Sequence, residues 1–166
     1  MEKTVIVING SGGVGKDTLC EFAEKQFKVM NISSITPIKE IAAMCGWNGE
    51  KNDKARKFLS DLKALSIEYN DFPTLWAKAK YNEFLNSDFE IMFVHIREAA
   101  EIEKFVKATD GKAKTLLIRG GERMTKSNYG NASDDGVENY PYDYYFLNDK
   151  TLEEAEIEFI SFLKTI

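Results

Sequence analysis

The residue types best suited to chemistry stand together near the start of the chain, in Gly10-Ser11-Gly12-Gly13-Val14-Gly15-Lys16-Asp17-Thr18. Glycines let the backbone bend tightly and turn successive N–H groups to one side, which makes a concavity for phosphate oxygens. A helix opening at Gly15 or Lys16 would aim the positive end of its dipole at the same anion. Lys16 would add a mobile cation for the β- and γ-phosphates of a nucleotide. The GxxxxGK spacing therefore predicts that Gly10 to Thr18, every residue included, cradle a nucleoside triphosphate.

Asp17 follows the lysine, where such loops usually carry Ser or Thr. Two readings meet there. An acid in the first turn of a helix is stabilised by the macrodipole by about 0.3–1 kcal/mol. A carboxylate is also a hard oxygen ligand of the kind Mg²⁺ prefers. The extra negative charge beside a triphosphate is tolerable if Mg²⁺ lies between them, and Thr18 still offers a hydroxyl. The adjacent phosphate site tips the reading toward Asp17 as a metal ligand.

These residues need elements to hold them. Val5–Ile8 is a compact β-branched run that reads as a buried strand. From Lys16 the pattern changes, with Leu19, Phe22, Ala23 and Phe27 at helical spacing. A second strand is expected over Val29–Ser33, and Thr36-Pro37 opens a helix to Met44 with Pro in its favoured first turn. Gly46 to Asp53 is a polar break. Two apolar stripes follow: Ala55, Phe58, Leu59, Leu62, Leu65 and Ser66, then Leu75, Trp76, Ala79, Phe84 and Leu85. Asp71-Phe72-Pro73 separates them. Ile91–Ile96 is a third strand, Glu98–Lys107 a helix and Thr115–Ile118 a fourth strand. Gly120 to Pro141 is polar and reads as a long loop or lid. Tyr142–Leu147 is a last strand and Leu152–Leu163 a closing helix. Strands alternating with helices imply a parallel sheet covered on both faces.

Composition narrows the function. A chain of 166 residues suits one domain. Its net charge of −5 argues against non-specific binding of nucleic acid polymers, which needs a basic face. An anionic substrate must then be held by local cations. Cys20 and Cys45 have neither metal-type spacing nor a disulfide framework, as expected of reduced thiols in the cytoplasm. The N-terminal apolar run is too short for a membrane span, and no signal-peptide layout is present.

With these residues in view, the chain resembles the P-loop kinases of the nucleoside monophosphate kinase superfamily. The Gly-Lys-Asp-Thr variant is similar to the phage-type deoxynucleoside monophosphate kinases and the animal-type phosphomevalonate kinases. Pro37-Ile38-Lys39-Glu40, Ile96-Arg97-Glu98-Ala99-Ala100-Glu101 and Tyr142-Asp143-Tyr144-Tyr145-Phe146-Leu147-Asn148 resemble pieces of those kinases in the same order. The resemblance implies a three-layer α/β/α P-loop NTPase fold with about five parallel strands, a helical acceptor-side insertion and a lid. It implies ATP and Mg²⁺ as cofactors. By position, Lys39, Arg97 and either Arg56 or Lys57 would face the acceptor phosphate, and Arg97 would also serve the transferred group. Arg119 and Arg123, flanking Gly120-Gly121, would act from the lid. The arginine fork suits these roles because it pairs two phosphate oxygens at once.

Two departures stand out. The strand end where such kinases commonly carry a carboxylate holds His95, the one histidine of the chain. Mg²⁺ binds imidazole poorly, so His95 reads as a hydrogen-bonded packing residue and Asp17 as the replacement acid. The lid is acidic, with Asp134, Asp135 and Glu138.

The predicted reaction is phosphoryl transfer from ATP to a small phosphorylated acceptor, a (deoxy)nucleoside monophosphate before phosphomevalonate. Trp47, Tyr69, Phe72 and Trp76 would offer a base-stacking face or simply core. A regulatory NTPase and a nucleotide-binding module without turnover remain as other classes. The apolar helical stripes fit either a monomer or a homodimer.

Overall fold

The computed structural model describes residues 2–121 and 136–166. Its centre is β1 (Thr4–Asn9), a strand of alternating β-branched residues whose two faces are both buried. Ile6 and Ile8 join one core with Leu19, Phe22, Phe93 and Phe159. Val5 and Val7, on the opposite face, join another with Tyr81, Phe84, Met92 and Phe105. Burial on both faces explains the uninterrupted apolar run, and each large side chain so enclosed contributes about 1.5–3 kcal/mol.

Five parallel strands lie in the order β2-β3-β1-β4-β5, with β2 at Val29–Ser33, β3 at Ile91–His95, β4 at Lys114–Gly120 and β5 at Tyr144–Asn148. On one face lie α1 (Lys16–Gln26) and α6 (Leu152–Leu163), packed against each other. On the other lie α4 (Phe72–Leu85) and α5 (Ala99–Ala108). Between β2 and α4 the chain forms α2 (Thr36–Met44) and α3 (Asp53–Asn70), which pack together. The expected three layers are present. Helices of this length and composition include no candidate membrane span among the described residues.

Four local expectations change. The α3 stripe is only partly covered: Ala55 is buried, Phe58, Leu59, Leu62 and Ser66 are half-buried, and Leu65 is 64% exposed. In α4 the covered face is Pro73, Ala77, Tyr81 and Phe84, and Leu75 and Leu85 are exposed. Apolar residues surround α4, so only its contact with the sheet selects a face. Its junction with α3 is a single residue, Asp71, in the left-handed region at φ 54°. Tyr142 and Asp143, expected in the last strand, precede β5.

Candidate active site

The turn from β1 into α1 is curled as its glycines require. Gly13 and Gly15 have φ of 84° and 83°, a region that disfavours residues with a β-carbon. Gly15 is the N-cap of α1, Lys16 its first residue, and Asp17 stands exposed in its first turn. Val14 is buried beneath the turn. A β-carbon on Gly10 would come within 2.8 Å of Val14 Cγ2 and 2.9 Å of the Ile118 carbonyl oxygen, so the loop can lie on β4 only with glycine there. From the β5 side, Asn148 Nδ2 donates to the Val14 carbonyl at 2.8 Å.

Asn9 fixes where that loop begins. Its Oδ1 accepts the Gly10 N–H at 2.9 Å, and its Nδ2 donates to the Arg97 carbonyl at 3.0 Å and to the Tyr142 hydroxyl at 2.9 Å. The Tyr142 hydroxyl donates in turn to the Val137 carbonyl at 2.7 Å. Arg97 therefore leaves β3 beside the first glycine of the loop, at the carboxyl edge where ligands gather in open α/β sheets.

His95 ends β3, in register with Ile8 on β1 and Ser33 on β2. Its Nε2 faces Asn31 Oδ1 at 2.7 Å. Burial pushes its pKa down to about 4; the positive charges of Lys16 and Arg97 lower it further and the Asp17 carboxylate opposes them. The ring is thus neutral near pH 7, and the Asn31 acceptor assigns the proton to Nε2. His95 is a hydrogen-bonded packing residue with no carboxylate chemistry to offer. Cys20, whose Sγ lies 3.9 Å from the same nitrogen, is fully buried. Burial, reinforced by Asp17, raises its thiol to about 12. It is an inert core thiol.

No protein-family model matches the chain, and no curated protein does. Solved structures do. The thymidylate kinase of Candida albicans matches with a TM-score of 0.56 at 12% identity, over 99% of this chain and 92% of that one. The tunicamycin resistance protein of Deinococcus radiodurans matches with a TM-score of 0.56 at 11% identity, over 98% and 96%. The shikimate kinase of Aquifex aeolicus matches with 0.54 at 9% identity, over 97% and 96%. The shared feature is the fold, a five-stranded parallel sheet with helices on both faces. At such identities the likeness speaks for architecture alone, and the assignment of residues rests on the geometry of this chain.

That geometry gathers some candidates and disperses others. Lys16, Asp17 and Arg97 all act on the His95 ring, which places them around one strand-end edge. Lys39 and Arg56 are exposed on α2 and α3, whereas Lys57 pairs with Asp61 at 2.5 Å. Arg119 lies in β4 and is held by Glu138 through two bonds, Nη2 to Oε1 at 2.8 Å and Nε to Oε2 at 3.3 Å. Its guanidinium also sits over the Tyr145 ring, 4.4 Å from the centroid. The acid Glu138 thus faces a cation. Arg123, Asp134 and Asp135, with most of the expected lid, lie outside the described residues.

Trp76 packs against the α4/α5 core, and the Trp47 indole N–H donates to the Glu50 carbonyl at 3.0 Å. Tyr69 is 86% exposed. Beyond Arg97 a small cleft opens between the ends of β2 and β3 and the helices α4 and α5, lined by Ser34, Thr74, Ile96, Glu101 and Phe105. The Glu101 carboxylate, buried there, accepts from Lys104 Nζ at 3.2 Å and from the Thr74 hydroxyl at 3.4 Å.

Sequence reading passed over Asn9, Tyr142 and Asn148 as site residues. The signal for Asn9 was a polar side chain closing a wholly apolar strand, where a buried amide must find partners. Asn148 had a similar signal at the end of the last strand.

Proposed function

We propose that the chain is an ATP-dependent phosphotransferase acting on a small phosphorylated acceptor, most simply a (deoxy)nucleoside monophosphate. The observation that carries this reading is the curled loop from Gly10 to Gly15, ending in Lys16 and tied through Asn9 to the Arg97 backbone. A triphosphate cradle and a second cation are thereby built into one edge of the sheet.

The donor set fits Mg²⁺. Asp17 and Thr18 offer hard oxygens. That sparse set suits an ion that keeps several waters and takes its other ligands from phosphates. Asp17 would hold it, Thr18 assisting, and when bound it neutralises charge on the donor phosphates.

The protein's own work is positioning and charge stabilisation. Backbone amides of Ser11 to Lys16 orient the donor phosphates, and the Lys16 ammonium takes up charge that develops on the transferred group. Arg97 holds the acceptor phosphate in line, with Lys39 and Arg56 approaching from α2 and α3. An oxygen of the acceptor's own phosphate attacks the γ-phosphorus directly while the bond from that phosphorus to the ADP oxygen breaks, and no protein nucleophile is required. Arg119 and Arg123 would close on the donor from the lid side and help exclude water.

His95, with Nε2 committed to Asn31, favours one second reading: a nucleotide-binding module or hydrolase that lacks acceptor turnover. Incubation with ATP, Mg²⁺ and a panel of monophosphates, phosphomevalonate included, separates these. Acceptor-dependent ADP release is expected. ADP without acceptor indicates a hydrolase, and ATP binding without ADP a module. Absence of ATP uptake by calorimetry in magnesium buffer overturns the whole reading. Two free cysteines support a cytoplasmic setting, and gel filtration at several concentrations distinguishes monomer from homodimer.

A further inference from the structure

Asn9 has no exposed surface, and both ends of its amide are engaged. Its carbonyl oxygen serves the first N–H of the phosphate loop, and its two N–H groups serve the Arg97 carbonyl and the Tyr142 hydroxyl. Tyr142 is also buried, its ring packed edge-on against Tyr140 at 5.2 Å and Tyr145 at 5.9 Å. Its hydroxyl passes the chain of bonds to Val137, in the segment that leads back toward β5. Three separate stretches of backbone thus meet at one amide: the loop entrance, the exit of β3 and the approach to β5.

We propose that Asn9 and Tyr142 are positioning residues that fix the separation between the phosphate loop and Arg97. This inference rests on the reading of that loop and that arginine as phosphate-binding. The chemistry leaves little freedom at residue 9. Arg97 and Tyr142 both present acceptors, and Gly10 presents a donor, so the side chain must carry two N–H groups and one oxygen at the length of asparagine. Aspartate has the same shape but places an oxygen against the Arg97 carbonyl and buries a charge. Removing the Tyr142 hydroxyl leaves one Asn9 N–H and the Val137 carbonyl without these partners. The Arg97 backbone can then shift, and misplacement of about 1 Å in such a group can cost about 10²-fold in rate.

The test uses the full chain and needs no turnover. Wild type, Tyr142→Phe and Asn9→Asp are titrated with MgADP by calorimetry. Each is then saturated with MgADP and titrated with inorganic phosphate, following the Arg97 Nε–H cross-peak by NMR. In wild type, phosphate is expected to move that peak. In Tyr142→Phe the phosphate concentration at half-shift should rise about tenfold, equivalent to about 1.4 kcal/mol, with MgADP affinity within about twofold of wild type. Asn9→Asp should show the larger effect; should it not fold, Tyr142→Phe decides alone. An unchanged Arg97 titration in Tyr142→Phe overturns the positioning role and leaves the nucleotide reading intact. So does a parallel fall of MgADP affinity, phosphate affinity and melting temperature, which marks a merely structural bond. Wild-type protein that takes up no MgADP overturns both.

Discussion

The amide nitrogen of Asn148 stands 2.6 Å from the point where a β-carbon on Gly15 would lie. The last strand therefore reads the identity of a residue in the first loop. Gly15→Ala should cost about 1–2 kcal/mol for the left-handed backbone, with a further loss of about 1 kcal/mol as the Asn148–Val14 bond is displaced. Chemical denaturation of Gly15→Ala, Asn148→Ala and the double variant gives the coupling. The two changes should be less costly together than their sum, and strict additivity would show that the side chains do not meet.

Lys16→Met removes the cation at the loop's end while keeping its length. Under the kinase reading, ATP-dependent ADP release should fall about 10²- to 10³-fold, the scale for losing one preorganised charge donor. The melting temperature should be little changed. A variant that keeps more than a tenth of wild-type turnover would remove Lys16 from the chemistry.

Asp17→Ala tests the metal assignment. Asp17 is exposed, so its removal should leave folding intact. The magnesium concentration needed for half-maximal ATP binding should rise several-fold, while metal-free ADP affinity stays level or improves. If magnesium dependence is the same in both proteins, Asp17 is simply a helix N-terminal acid.

His95 makes stability fall in acid. Its pKa drops from 6.5 in the unfolded chain to about 4 in the fold. Between those values the unfolded state binds the extra proton, so unfolding free energy rises with pH there. The contribution is complete above pH 6.5 and is lost as pH falls to 4, amounting to up to about 3 kcal/mol. Urea melts of wild type and His95→Gln at several pH values should converge as the solution is acidified. Parallel curves would show that the ring is already protonated, or exposed, in the fold.

The Arg119–Glu138 pair is half exposed on both sides, at 47% and 54%. Glu138→Gln should change stability by less than about 1 kcal/mol. It should strengthen MgATP binding at low ionic strength by releasing a guanidinium toward the donor, a gain that salt screens away. Calorimetry at low and high salt measures it, and equal affinities for wild type and variant at low salt would exclude competition between Glu138 and the nucleotide.

Much of the architecture was legible because it rests on local rules. Val5–Ile8 read as a buried strand from its β-branched run before Asn9-Gly10, and Thr36-Pro37 as a helix start, since a fixed proline φ and a missing N–H suit the first turn. The change from an unbroken apolar run to helical spacing from Lys16 located the loop between strand and helix. In α4 the same rules failed: apolar residues on every side gave no dominant face until the sheet chose Ala77, Tyr81 and Phe84.

The order of residues alone determined the glycine loop, the lysine that ends it and the alternation of strands and helices, because each depends on neighbours a few positions apart. Tertiary structure decided which arginine stands beside the loop, which acid faces Arg119, and that His95 is a neutral donor to Asn31. Those outcomes depend on burial and on bonds such as Asn9 to Arg97 and Asn148 to Val14, whose partners lie 88 and 134 residues apart. No window on the sequence spans such a distance; the parallel sheet does, by bringing the strand ends to one edge.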